Sequence, residues 1–407
     1  MNPALRMLLA LALGLGGGIL AGGHAPITGY LLPIARPIGS LWLDALTMTI
    51  VPLVFGLIVN GIASATREAA ASHIALQSIV GFATLLTVAC ALGALVATGI
   101  LHAWPLSEQA IALRSAPLMA AAGPGGTHWY EGIIPANPIK AAAETAMVPL
   151  LIFALLFGFA LMRIDTRLGD AVLALTEALV QTMLVIVHWV LRLAPLGITA
   201  LAFVAGVNMG AAAAGALGQY IVVASAACLA ATAMAYLAAI FVGRLSPMRF
   251  ARAVAPAQAV ALGTQSSLAT LPVMIDSAPA VGADPRVAGI VLPLAVTLFR
   301  AASAAANVAV AIYLAHLHGV HLSIPMLILA VLVAVPVSLA AVGVAAQVSF
   351  IATIAPICVA LGVPFEVLPL LMAVETIPDL FRTLGNVTAD LAVTAIVSTR
   401  QPQAIDG

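Results

Sequence analysis

Long apolar runs separated by short polar interruptions set the pattern of this chain. Runs long enough to cross a bilayer, about 20 residues each, fall near residues 5–33, 37–66, 72–103, 141–163, 170–207, 216–243, 287–316 and 366–399. Each predicts a membrane-spanning helix. Two further stretches, 248–283 and 322–363, are apolar in both halves and polar or broken between. In the first, Gly263, Thr264, Gln265, Ser266 and Ser267 interrupt the pattern; in the second, Pro336, Ser338, Gly343, Gln347 and Ser349 do so. Irregular backbone at membrane depth survives only when it is buried in protein or lines a cavity. Both stretches therefore read as re-entrant hairpins. A pair of broken segments in corresponding places points to the binding site of a secondary transporter.

The last run carries the most informative polar residues. Glu375, Asp379, Arg382, Asn386 and Asp390 are spaced four, three, four and four residues apart, which puts all five on one helical face. An ionisable group at the centre of a bilayer costs roughly 2.5–3.5 kcal/mol unless it meets a partner, a cavity or a solute. This face is the first candidate for a solute and ion site.

Composition agrees with the membrane setting. The 407 residues are 63% hydrophobic and 7% charged, with a mean hydropathy of +1.17, whereas a soluble protein carries about 25% charged residues. Unbroken apolar runs exclude an outer-membrane barrel, whose strands alternate. Cys90, Cys228 and Cys358 lie far apart in apolar runs and read as buried, unreactive thiols. Gly14, Gly18 and Gly22 repeat every four residues, a small-residue face for close helix packing, and the first run is expected to be retained as a span. Threading eight spans and two hairpins puts Arg6, Arg67, Arg163, Arg167, Arg244, Arg249, Arg252, Arg286 and Arg400 on one side. The excess of basic residues marks that side as cytoplasmic, so both termini are expected there. Residues 105–136 read as an external loop. His316, His318 and His321 sit at a span end and read as interfacial polar residues rather than a metal cluster.

At this point the residues resemble a known family, the dicarboxylate/amino acid:cation symporters that include the glutamate transporters. Asp379-Leu-Phe-Arg382-Thr383-Leu-Gly-Asn386-Val-Thr-Ala-Asp390 resembles the family's last-helix signature, and Thr264-Gln265-Ser266-Ser267 followed by Thr270-Leu-Pro272 is similar to its first hairpin tip. Met48-Thr-Ile-Val51-Pro52, Ile133-Ile134-Pro135-Ala-Asn137-Pro138 and Ala194-Pro195-Leu-Gly197 follow in the family's order. The resemblance implies an all-α polytopic elevator fold of eight spans and two hairpins, assembled as a homotrimer. Residues 1–70 and 137–212 would be scaffold (spans one, two, four and five). Residues 71–104 (span three) and 213–400 (span six, first hairpin, span seven, second hairpin, span eight) would be the transport domain.

It also implies roles. Arg382 would take a side-chain carboxylate, Asp379 an ammonium group, Thr383 would add a hydroxyl, and Asn386 would also meet the solute. Ser266 and Ser267 would meet the solute from the hairpin tip. Asn386 and Asp390 would form a cation site through a carboxylate and unwound carbonyls, for sodium or for a proton on Asp390. Glu375 would be either a supporting carboxylate behind Arg382 or a proton site. No cofactor is expected, and no metal beyond sodium. The partners expected are a small anionic solute (aspartate, glutamate or a dicarboxylate), the lipid of a bacterial cytoplasmic membrane and further copies of the chain, not nucleic acid.

The departures are as informative. Span seven of the family unwinds at Asn-Met-Asp-Gly-Thr; here the same place reads Phe299-Arg300-Ala301-Ala302-Ser303. A sodium-binding carboxylate is thereby lost at Ala301 and the breaking glycine at Ala302. Arg300 then reads as a fixed positive charge in place of a lost sodium. Span three offers Phe82, Leu85 and Leu86 where the family has hydroxyl ligands. The expected function is a cation- or proton-coupled symporter of an acidic solute, with reduced sodium stoichiometry. An uncoupled exchanger or a non-transporting receptor on the same fold is the alternative. An intramembrane enzyme is not expected: Asp379 and Asp390 share one helix about 16 Å apart at 1.5 Å per residue, and no histidine stands beside a motif serine.

Overall fold

The computed structural model describes residues 3–22, 24–105, 134–210, 212–340 and 346–400, and its regular structure there is entirely helical. In chain order the helices are α1 (Pro3–Ala21), α2 (Ala25–Thr47), α3 (Ile50–Ala71), α4 (His73–Ala103), α5 (Pro138–Ala143), α6 (Met147–Leu161), α7 (Thr166–Arg192), α8 (Ala194–Met209) and α9 (Ala212–Phe241). They continue with α10 (Pro247–Thr264), α11 (Ser267–Ser277), α12 (Pro285–Leu298), α13 (Ala301–Leu317), α14 (Ile324–Ala340), α15 (Ala346–Ala360), α16 (Leu368–Met372) and α17 (Thr376–Thr399). Among the described residues, six helical stretches are long and apolar enough to cross a membrane: 26–70, 73–103, 166–192, 212–241, 285–317 and 376–399. The first and fourth expected spans, α1 and α6, are shorter apolar helices. The loop expected at 105–136 lies almost wholly outside the described residues, as does the tip of the second hairpin at 341–345.

Three boundaries differ from the hydrophobic pattern, each for a backbone reason. The first span ends at Ala21 rather than near residue 33, with Gly22 next and Pro26 in the first turn of the following helix. Helix α2 then runs through Pro33 and Pro37, an interval that reads as a connection from sequence; both prolines lie on its exposed side. The run 170–207 divides at Leu193, where Pro195 in the first turn of α8 removes an amide donor. The Trp42 Nε1–H donates to the Val190 carbonyl at that junction, at 2.9 Å.

Small residues decide where the helices meet. A Cβ on Gly14 would lie 2.4 Å from the Thr199 carbonyl oxygen, and one on Gly18 would lie 2.3 Å from that of Phe203. The repeat of glycines in α1 is therefore the surface on which α8 lies. Likewise a Cβ on Gly93 of α4 would come within 2.2 Å of the Ala305 carbonyl oxygen in α13. Two packing groups result: α1, α2 and α8, with α3 against α6 and α7, and a second group of α4, α9, α10, α12, α13 and α17. Helix α13, rich in alanine, is buried along its length except at Ser303 and His316, which are partly exposed. The outer surface is apolar, with Leu13, Leu20, Tyr30 and Leu41 exposed, as a surface that faces lipid requires.

The first hairpin has the shape expected. Helix α10 ends in Gln265, a non-glycine residue in the left-handed region at φ 52°, and α11 begins immediately at Ser267. Span seven is also broken, between α12 and α13 at Phe299–Arg300.

Candidate functional site

Helix α17 packs among α9, α10, α12 and α13. Arg382 is buried, 6% exposed, and its Nε lies 2.5 Å from Glu375 Oε1. That contact is an ion pair rather than an aligned hydrogen bond. Its Nη1 donates to Asn307 Oδ1 at 2.7 Å and to the Ser303 carbonyl at 3.2 Å, both on α13. The Phe350 ring of α15 lies 5.8 Å from the guanidinium carbon, a cation–π distance. Arg382 Nη2 is buried and has no hydrogen-bond partner among the described residues. Arg382 was expected to meet a solute carboxylate; in this conformation Glu375 holds one edge of it and leaves Nη2 free.

Glu375 is fixed from behind. The hydroxyl of Tyr220 on α9 donates to Glu375 Oε2, and Tyr220 is fully buried against Tyr313, ring centroids 5.8 Å apart. Asn307 passes the arrangement on, its Nδ2 donating to Thr353 Oγ1 on α15 at 2.9 Å. Neither Tyr220, Asn307, Thr353 nor Phe350 was singled out from sequence. Asn307 offered a signal: it is the one polar residue in the run 304–312, one helical turn after Ser303.

Asp379 is half-buried, and its carboxylate makes no hydrogen bond or ion pair with any described residue. The Thr383 hydroxyl donates to its backbone carbonyl at 3.0 Å, so Thr383 here serves the helix rather than a solute. At the hairpin tip the Ser266 hydroxyl accepts from the Ala269 amide at 3.2 Å and caps α11. Ser267 opens that helix, whose first-turn amides point toward the positive end of the dipole. The Gln265 side chain donates to the Thr376 carbonyl at 3.4 Å, joining the tip to the start of α17.

Asn386 does something the sequence did not suggest. Its Oδ1 accepts from the amides of Ala302 at 3.0 Å and Ser303 at 3.2 Å, and its Nδ2 donates to Ser303 Oγ at 2.9 Å. It caps α13 from a neighbouring helix. That cap explains why span seven breaks without a glycine. Helix α17 itself is continuous through Asn386, so the unwound carbonyls expected there are absent. Close approach makes the cap possible: a Cβ on Gly385 would lie 2.6 Å from Ala302 Cβ.

One turn on, Asp390 is fully buried and neither carboxylate oxygen accepts a hydrogen bond from a described residue. The cation whose field reaches it is Arg300. Arg300 was expected to find a carboxylate; it forms no direct ion pair with a described residue, and the fields of Asp390 and Asp379 act on it from a distance. Away from this site, no described group of three or more histidine, cysteine or acidic residues is placed to hold a metal. His318, just beyond α13, is 6% exposed, and burial pushes its imidazole below the ordinary histidine range.

The sequence profile of the sodium:dicarboxylate symporter family matches residues 4–400. The chain belongs to the sodium:dicarboxylate symporter family. It is therefore a membrane transporter and not an enzyme. This symporter is also 26% identical over 409 residues to the proton/glutamate-aspartate symporter of Escherichia coli (strain K12), covering 97% of this chain and 92% of that protein. The family's name implies sodium, a hard cation that wants oxygen ligands. Around the break in span seven of this symporter the donors do not fit it. Asn386 Oδ1 is spent on two amides. Ala301 and Ala302 carry no oxygen in their side chains, Phe82 stacks on Phe299 with centroids 4.8 Å apart, and Arg300 stands at the break.

Proposed function

We propose that the chain carries an acidic amino acid, aspartate or glutamate, across the bacterial cytoplasmic membrane as a secondary active symporter. The observation that carries this reading is the pairing on α17 of a free carboxylate with a partly free guanidinium. Among the described residues Asp379 has no hydrogen-bond or ion-pair partner, and Arg382, three residues later, keeps Nη2 without a hydrogen bond. An amino acid's ammonium suits Asp379 and its side-chain carboxylate suits Arg382. A plain dicarboxylate would satisfy Arg382 and be repelled by Asp379. The resemblance to a glutamate-aspartate symporter points the same way. Ser266, Ser267 and the amides of α11 supply donors for the second carboxylate.

Coupling follows from the geometry of Glu375. As an anion it competes with the solute for Arg382; a proton on it removes that competition. Proton binding and solute binding then reinforce each other, which is what symport requires. In this reading the first packing group, with residues 1–70 and 137–212, is scaffold. Residues 71–104 and 213–400 move with the solute, three copies assemble, and both termini face the cytoplasm.

Counterflow into proteoliposomes with a panel of acidic amino acids, neutral amino acids and dicarboxylates tests the substrate assignment. Aspartate or glutamate is expected to exchange, and Asp379→Ser to weaken amino-acid exchange while sparing succinate. Wild-type protein that exchanges dicarboxylates and ignores amino acids would overturn it.

A further inference from the structure

The break between α12 and α13 holds a charge that the solute site leaves unexplained. Arg300 occupies the N-cap position of α13, with φ −120° and ψ 66°, and its side chain makes no capping bond. A cation there faces the positive end of the helix dipole, so its own helix disfavours it. The fields that offset it come from Asp390 and Asp379 on α17. Asp390 is the more demanding of the two: it is 0% exposed, and neither oxygen has a hydrogen-bond donor among the described residues. A buried carboxylate without donors must either meet a positive charge or hold a proton, and the positive charge in reach is Arg300.

Among the described residues the cation whose field reaches Asp390 is Arg300, and the side chains one turn to either side of Asp390 on α17 are already engaged. The amide oxygen of Asn386, one turn before Asp390, is committed to the Ala302 and Ser303 amides. The Thr394 hydroxyl, one turn after it, donates its proton to the Asp390 carbonyl at 2.7 Å and so gives none to the Asp390 carboxylate. Phe82, Phe299, Ala301 and Ala302 are all fully buried and close the remaining space with hydrocarbon.

We propose that Arg300 is a tethered cation that stands in for a transported sodium ion beside Asp390, so that transport needs no sodium at this position. The proposal rests on the reading of the chain as an acidic-solute symporter and adds a consequence to it. A mobile ion enters from one side and leaves on the other, and so contributes its gradient. A guanidinium bonded to the chain neutralises Asp390 in both directions and contributes none. The symporter therefore gives up one coupled charge.

The test uses the full chain in proteoliposomes, with wild type, Arg300→Lys, Arg300→Met and the double variant Arg300→Met/Ala301→Asp. Aspartate counterflow is measured in sodium and in choline media, and thermal stability of the purified protein is measured against sodium concentration. Wild type and Arg300→Lys are expected to exchange equally well in both media and to show no sodium-specific stabilisation. Arg300→Met is expected to lose about tenfold or more in choline. The double variant, which adds a carboxylate at the start of α13, is expected to recover in sodium only and to be stabilised by it, because an ion that binds the folded state raises its stability. A wild-type rate that rises steeply with sodium would overturn the proposal. So would an Arg300→Met protein that exchanges normally without it, or one whose loss is confined to dicarboxylates, which would make Arg300 a solute anchor. Absence of aspartate counterflow in any medium would instead defeat the substrate reading. The sodium dependence of wild-type stability would still decide the role of Arg300: sodium-specific stabilisation overturns it, and its absence supports it.

Discussion

At the scale of single residues, the site was legible wherever charge stood out against hydrocarbon. Glu375, Asp379, Arg382 and Asp390 announce themselves in an apolar segment, and their four-and-three spacing places them together. What sequence did not reveal was which partners they choose. Glu375 rather than a solute meets Arg382, because Tyr220 on a distant helix holds it there. Asn307 and Thr353 stayed hidden because a lone amide or hydroxyl in a span carries little pattern. The Glu375–Arg382 contact makes a prediction with a definite sign. The groups facing Glu375 are Arg382 and Asp379 on α17 and Tyr220 on α9. Anionic Glu375 competes with the solute, so wild-type affinity for aspartate is expected to rise as pH falls. Glu375→Gln removes the competitor and is expected to bind aspartate tightly with little pH dependence. Isothermal titration of aspartate at a series of pH values, for wild type and variant, checks it. A pH slope unchanged in the variant would remove Glu375 from coupling.

At the scale of elements, the hydrophobic pattern placed the spans and both hairpins, and it misplaced the joints. Proline in a first turn divides α7 from α8, while Pro33 and Pro37 on an exposed face leave α2 whole. Periodicity cannot tell these cases apart, since the outcome depends on where the ring points. Span seven is the instructive case. The glycine that breaks the family's span seven is replaced here by Ala302. The break persists because Asn386, 84 residues away, caps α13. Long-range capping leaves no local trace in a sequence. Asn386→Ala is therefore expected to lower stability by about 1 kcal/mol, the usual worth of an N-cap, and to impair aspartate binding by loosening the break. Asn386→Asp keeps the acceptor and is expected to retain most of the stability. Thermal unfolding in detergent separates the two, and equal losses in both variants would contradict the capping role.

At the scale of the whole molecule, the helices sort into two packing groups. One buries the charged face of α17 among α9, α10, α12 and α13, and in the other α1 meets α8 through glycine contacts. Charge carried across a membrane is costly, and the site's own residues nearly balance. Arg300 and Arg382 oppose Glu375, Asp379 and Asp390, leaving one negative charge before solute binds. An acidic amino acid adds another, so the loaded site needs accompanying positive charge, for which a proton on Glu375 is the first source. The central claim is that an acidic amino acid moves together with that charge. Its most direct test is uptake of labelled aspartate into proteoliposomes under an imposed inward proton gradient, compared with an equal sodium gradient and with none. Aspartate is expected to accumulate above equilibrium under the proton gradient, with little added by sodium. Accumulation that follows sodium alone, or equilibration without accumulation under either gradient, would contradict it.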